Sequence, residues 1–152
     1  MEEHGVGNKI VKHIKKYPLP GFLLGKIDPK RYAKWLDRKA RTHVRRDRAK
    51  GNKRASISVY KEAIQCAVVF SIGRDAYTNE LLRWDLISRY DNLKSKAIKR
   101  EYKHRYALLP TVDHEGHGAK TTKFKICAWR TNDAKNDLLL SDFVKLCQMV
   151  LK

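Results

Sequence analysis

Basic residues are crowded into one short stretch of this 152-residue chain, and they limit how its N-terminal part can fold. Residues 38–54 hold nine lysines and arginines and a single acid, Asp47. Residues 1–55 carry a net charge of +12 (17 basic, 5 acidic), and residues 56–152 carry +6 (17 basic, 11 acidic). Like charges at this density repel one another, and a phosphate backbone would relieve the repulsion. The charge therefore favours a polyanionic partner such as nucleic acid.

The basic stretch belongs to a predicted amphipathic helix. Asp28 suits the N-cap, Pro29 suits the first helical position, and Gly51 with the following Asn52 would end the helix. Apolar residues recur along one side at helical spacing. They are Tyr32, Trp35, Leu36, Ala40 and Val44.

The basic face of this helix, opposite the apolar side, and the basic residues just after the helix are predicted to bind nucleic acid. The predicted contacts are Lys34, Arg38, Arg41, Arg45, Arg46, Arg48, Lys53 and Arg54. One alternative is a solvated basic face that has no ligand. Another is an anionic membrane surface, but the apolar side has the composition of a core-packing face rather than of an interfacial anchor.

Signals for export or membrane insertion are not seen in the sequence. The uncharged residues 63–72 are too few to cross a bilayer, and the acidic N-terminus lacks the apolar segment of a signal peptide. Cys66, Cys127 and Cys147 are widely spaced and form no CxxC pair. We therefore expect reduced thiols, a cytoplasmic location and no membrane partner.

Further elements can be predicted along the chain. Residues 58–72 form a predicted core helix, with Ser58 as N-cap and Gly73 at the C-cap. Its predicted apolar stripe consists of Val59, Ala63, Cys66, Ala67 and Phe70. Residues 81–87 are predicted as a short strand or sheet edge, and residues 91–103 as a loop or short helix.

The C-terminal half has a strand, loop, strand, helix pattern. Residues 106–112 and 124–129 are the predicted strands, and the loop between them holds His117, which is predicted to be solvent-exposed. Helical signals return at Thr131 or Asn132, each a possible cap, and Ser141 is predicted to cap a last helix over residues 142–152.

Polar residues at the joints of this pattern suit phosphodiester hydrolysis. Asp113 and His114 end the first strand, and Asn132 opens the helix after the second. Mg²⁺ prefers oxygen ligands and keeps several waters, so Asp113 and Asn132 could hold it. A neutral His114 could accept a proton from an attacking water. Arg130 and Lys135 flank Asn132 and could bind phosphate oxygens.

Each of these residues also has a structural alternative. The Asp113–His114 pair could be hydrogen-bonded in the core or at the surface, and Asn132 could serve only as a helix cap. Glu115 is a further candidate ligand. Asn136 shares the face of Asn132 and is a candidate for supporting the ligand set.

Three segments resemble the C-terminal motif of the HNH (ββα-metal) endonucleases. They are residues 109–114 (LPTVDH), 124–138 (FKICAWRTNDAKNDL) and 142–147 (DFVKLC), and residues 73–82 resemble the turn that often precedes the motif. The resemblance covers about residues 73–150. It implies a ββα-metal hairpin and helix in which Asp113 and Asn132 bind Mg²⁺ or Mn²⁺ and His114 is the general base.

Two departures from the family pattern stand out. The middle Asn, which orients the base, would fall near Thr122 or Lys123, so another group must orient His114. Many members also carry a four-cysteine zinc site, but Asp75 stands at one expected cysteine position. No structural zinc is therefore expected. Packing must stabilise the core instead, with Trp84, Phe124, Trp129 and Phe143 as the predicted residues.

The sequence thus predicts an α+β protein in two regions. Residues 1–55 would form a basic, mainly helical DNA-binding arm, and residues 56–152 an HNH-like ββα-metal nuclease domain. The predicted function is metal-dependent hydrolysis of DNA, with RNA as an alternative substrate, by a monomer or homodimer. The alternatives are a non-catalytic nucleic-acid-binding protein on a degenerate HNH fold, and a partner of a ribonucleoprotein, such as a ribosome-associated factor.

Overall fold

The computed structural model describes residues 16–115 and 121–152, so the predicted loop residue His117 lies outside the described part. The predicted α+β class is confirmed, because the described residues form six α-helices and one two-stranded antiparallel sheet. The elements are α1 (Pro29–Ala49), α2 (Ile57–Ser71), α3 (Asn92–Ile98), α4 (Arg100–Arg105), β1 (Pro110–His114), β2 (Phe124–Ala128), α5 (Trp129–Lys135) and α6 (Leu140–Val150).

Helix α1 begins as the sequence predicts. The Asp28 side chain accepts a hydrogen bond from the Arg31 backbone N–H at 3.0 Å, and Pro29 is the first helical residue. Every residue of the predicted apolar stripe is buried, and so are two polar residues on the same side, His43 and Asp47. The buried side of α1 therefore carries ionisable groups as well as apolar ones.

Helix α2 differs from its prediction in cap and in buried face. Ser56, not Ser58, accepts a hydrogen bond from the backbone N–H of Val59, so the predicted cap is wrong. The buried residues are Tyr60, Ile64 and Val68, whereas Val59 and Phe70 of the predicted stripe are exposed. The predicted stripe is therefore wrong, because α2 packs against α1 and β2 through the face that contains Tyr60.

The predicted strand at residues 81–87 is also wrong. A single bridge joins Leu81 to Arg74, and Trp84–Leu86 form a 3₁₀ turn. The reason is the buried Trp84 side chain, whose indole N–H donates to the Gly73 carbonyl at 3.3 Å and whose ring packs edge-on against Trp35.

Strands β1 and β2 pair so that Asp113 lies opposite Lys125 and His114 opposite Phe124. Helix α5 begins at Trp129, directly after β2, and no side chain caps it. Asn132 is the fourth residue of this helix, so its predicted capping role is wrong. Helix α6 likewise begins at Leu140 without a cap at Ser141.

One apolar cluster combines residues from α1, α2 and both strands, so it contains residues from both sides of the predicted boundary at residue 55. Helix α5 packs on both strands, α2 packs on β2, and α1 packs on α2. Trp84 and Phe124 are buried as predicted, whereas Trp129 and Phe143 are only half-buried.

Candidate active site at the end of the hairpin

Asp113 and His114 have separate surroundings, because successive strand residues point to opposite faces. The Asp113 carboxylate meets α5, and the His114 imidazole meets α1 and the Phe124 ring of β2. The two predicted catalytic groups therefore have different partners.

Asp113 is held by two donors that both reach Oδ2. The Tyr77 hydroxyl donates at 2.6 Å, and the Lys135 ammonium lies 3.0 Å away. Lys135 is itself buried. Burial, reinforced by the Asp113 carboxylate, raises the pKa of Tyr77, so its hydroxyl stays protonated and keeps donating. The predicted phosphate-binding role of Lys135 thus competes with a buried ion pair.

His114 is held by Asp47, which the sequence did not single out as a site residue. The His114 Nε2 lies 2.9 Å from Asp47 Oδ2, and the Tyr60 hydroxyl donates to the same oxygen at 2.7 Å. Burial raises the pKa of Tyr60 to about 12, so this hydroxyl also stays protonated. Asp47 is buried, and its carboxylate holds the His114 imidazole in place.

A second imidazole, that of His43, packs against His114 with ring centroids 4.9 Å apart. Burial lowers the pKa of His43 to about 3, assisted by the charge of Arg46. Its Nδ1 lies 3.1 Å from an Arg46 nitrogen, and because arginine can only donate, this contact requires an unprotonated Nδ1. His43 is therefore a neutral neighbour of His114.

Three polar residues of α1, spaced four apart, contact β1. Lys39 donates to Thr111 Oγ1 at 3.1 Å, the His43 ring packs against the His114 ring, and Asp47 binds His114. We call Lys39, His43 and Asp47 the polar row. Its signal in the sequence is the i, i+4, i+8 spacing beside the apolar stripe of α1, together with the fact that Asp47 is the only acid in residues 38–54.

Asn132 and Lys135 lie on one face of α5, and Thr111 and Asp113 lie on one face of β1. Lys135 reaches Asp113, while Asn132 lines a cavity of about 540 Å³ together with Thr111 and Lys39. The two predicted metal ligands thus stand on adjoining elements, each beside a lysine.

The remaining predicted residues fall into two groups. Arg130 is exposed and forms an ion pair with Glu80. All eight predicted nucleic-acid contacts are exposed. Four of these also bind the protein itself: Arg41 pairs with Asp37 at 2.6 Å, Arg48 donates to the Ala55 carbonyl, Arg38 donates to Ser88, and Arg46 contacts His43.

Asp75, at the position where the HNH resemblance expects a zinc cysteine, is a buried hydrogen-bond hub. Its Oδ2 accepts from the Ala128 N–H and the Thr131 hydroxyl, and its Oδ1 accepts from the backbone N–H of Tyr77 and Thr78. The carboxylate ties the turn that carries Tyr77 to the junction of β2 and α5.

Within residues 16–115 and 121–152, no three His, Cys, Asp or Glu side chains converge as a metal cluster. No helix in these two ranges is both long and apolar enough to cross a membrane. Comparisons of the chain with protein-family models, curated proteins and solved structures found no match.

Proposed function

We propose that this protein is a metal-dependent endonuclease that hydrolyses DNA phosphodiester bonds in the cytoplasm, acting as a monomer or homodimer. The observation that carries the proposal is the His114–Asp47 contact. With Nε2 engaged by a buried carboxylate, Nδ1 is the nitrogen left to take a proton from water. The Asp47 charge would stabilise the imidazolium that forms, as a carboxylate does for the histidine of a catalytic triad.

The donor set suits Mg²⁺ or Mn²⁺. Carboxylate and amide oxygens are the ligand types that Mg²⁺ accepts, and Asp113 and Asn132 would supply one of each. Within residues 16–115 and 121–152, the Tyr77 and Lys135 contacts of the Asp113 side chain both fall on Oδ2, so Oδ1 would be the oxygen that holds a metal. When bound, the ion would supply Lewis-acid stabilisation of charge on the phosphate and the leaving oxygen.

The exposed basic side chains of α1 and the turn after it support the choice of DNA as substrate. They would hold the phosphate backbone without reading its sequence. The free thiols of Cys66, Cys127 and Cys147 support a reducing compartment.

The test is a plasmid-nicking assay in Mg²⁺ or Mn²⁺ that compares the wild type with His114→Ala. Loss of a general base is expected to slow cleavage by about 10²–10⁴-fold. His104→Ala is the matched control, because His104 is an exposed histidine of α4. The absence of metal-dependent cleavage of DNA and of RNA by the wild type would contradict the proposal, and so would full activity of His114→Ala.

A second candidate, a non-catalytic nucleic-acid-binding protein, is favoured by one specific observation. The buried Lys135 ammonium lies 3.0 Å from the carboxylate that a metal would need. On this reading the wild type would bind DNA with a steep salt dependence and would not cleave it. Asp113→Ala and His114→Ala would then leave the DNA affinity unchanged.

A further inference from the structure

The cavity between α1, β1 and α5 has the size of a small-molecule site. Its volume of about 540 Å³ falls within the range of about 300–1,000 Å³ that is common for ligand pockets. The lining combines cations, amides and aromatic rings. The lining residues include Arg38, Lys39, Tyr90, Asn92, Trp129 and Asn132.

Within residues 16–115 and 121–152, Lys39 forms no ion pair with an acidic side chain. Its hydrogen bond there goes to the neutral Thr111 hydroxyl, and the charges that act on it include two further cations, Arg38 and Arg46. Burial, followed by these two charges, lowers the pKa of Lys39 to about 8. Lys135, in contrast, has the Asp113 carboxylate. Lys39 is half-buried. A partly desolvated charge without a counter-ion is costly, and an anionic ligand would offset that cost.

The aromatic part of the cavity suits a nucleobase. Tyr90 and Trp129 both line it, and their ring centroids lie 5.3 Å apart at an interplanar angle of 66°. Bases stack on such rings whatever their sequence. The amides of Asn92 and Asn132 lie on the same lining, and an amide can pair with the donors and acceptors of a base edge.

We propose that this cavity binds one nucleotide of a DNA strand, with its phosphate against Lys39 and Arg38 and its base beside Tyr90 and Trp129. The choice of a DNA nucleotide rests on the proposed function, but binding itself needs neither metal nor cleavage. Lys39 is then a phosphate-binding residue that the eight predicted nucleic-acid contacts do not include.

The test is titration of the full chain with deoxyadenosine 5′-monophosphate in EDTA, followed by calorimetry. Wild type is compared with Lys39→Met, and Lys30→Met is the matched control because Lys30 is an exposed lysine at the start of the same helix. Losing a charge-assisted hydrogen bond is expected to weaken binding about tenfold or more in Lys39→Met, with no change in Lys30→Met. Deoxyadenosine, which lacks the phosphate, should bind wild type and Lys39→Met equally weakly.

Urea unfolding shows whether Lys39→Met is as stable as wild type, so that a loss of nucleotide binding is not mistaken for a loss of folding. Removal of a half-buried charge that has no ion-pair partner among the described residues should leave the stability of Lys39→Met equal to or above that of wild type. The inference is overturned if wild type does not bind the nucleotide at millimolar concentration, or if Lys39→Met binds it as well as wild type does. Nucleotide binding that depends on Lys39 without any cleavage would contradict the nuclease proposal alone. Cleavage that depends on His114, with no effect of Lys39 on nucleotide binding, would contradict this inference alone.

Discussion

Asp113 and His114 are adjacent in the chain, and the elements that hold them come from different parts of the fold. The Asp113 carboxylate is paired with the Lys135 ammonium of α5, a helix that follows Asp113 within the C-terminal hairpin and helix. His114 is a base paired with an acid, Asp47 of α1, which lies 67 residues earlier. The C-terminal segment therefore completes the Asp113 contacts with α5 and the Tyr77 turn, but it needs the N-terminal helix to complete those of His114.

This difference changes the role assigned to the N-terminal helix. The sequence predicted a DNA-binding arm, and the basic side of α1 remains suited to that task. The opposite side of α1 belongs to the core and carries the acid that holds the predicted general base. Four perturbations test how far the two environments are independent, from the largest expected effect to the smallest.

Asp47→Ala is expected to have the largest effect on stability. It removes the acceptor of two short hydrogen bonds, from Tyr60 and His114, and leaves both donors without that acceptor. The free energy of unfolding should fall by about 4 kcal/mol, measured by urea denaturation. Asp37→Ala is the matched control on the more exposed side of α1 and should cost less than about 1 kcal/mol. Equal losses in the two variants would contradict the buried role of Asp47.

Lys135→Met tests the other environment. Both members of the Lys135–Asp113 pair are largely buried, so removing the cation alone leaves an uncompensated carboxylate and should cost about 3 kcal/mol. The double variant Asp113→Asn with Lys135→Met has no buried charge and should recover most of that loss. A double-mutant cycle from urea unfolding measures the coupling. Additive losses would mean that the two residues do not interact.

The pH dependence of stability tests whether His43 is buried in its neutral form. The pKa of His43 is about 3 in the folded chain, below its ordinary value of 6.5, so the unfolded chain takes up a proton first as the pH falls. This contribution to stability is fully present above pH 6.5 and is lost toward pH 3. It should amount to about 2 kcal/mol between pH 6 and pH 4.5.

Urea unfolding at several pH values checks this expectation. His43→Asn should remove this part of the pH dependence, and replacement of the exposed His104 with Asn should retain it. If His43→Asn keeps the wild-type slope, His43 is not the group that is buried in its neutral form.

Arg41→Ala should have the smallest effect on stability. Arg41 pairs with Asp37 one turn away on the exposed side of α1, and such pairs contribute about 0.3–0.5 kcal/mol. Its effect should appear instead in DNA binding, where loss of one phosphate contact lowers the slope of log affinity against log salt by about 0.9. Binding measured by fluorescence anisotropy at several salt concentrations checks this. An unchanged slope would remove Arg41 from the set of contacts.

The local features of this fold could be predicted where a few neighbouring residues decide them. Asp28 and Pro29 start α1 because the cap and the fixed proline geometry act within one turn. The α+β class follows from the spacing of apolar residues. The start of α2 was predicted two residues late because Ser56 and Ser58 are equivalent caps in sequence, and only the packing of Tyr60 chose between them.

The sequence by itself determined which features are candidates for the proposed chemistry: a basic helix, the Asp113–His114 pair at a strand end, and Asn132 in the helix that follows. The tertiary structure alone decided their partners. Asp47 could have been one more solvated charge in a basic run, and Lys39 one more basic residue of that run. Their roles arise because α1 contacts β1 through the polar row, a contact between residues more than 60 positions apart that helical spacing cannot reveal. Such pairings depend on which faces of distant elements bury the most apolar surface, and that is a property of the whole chain.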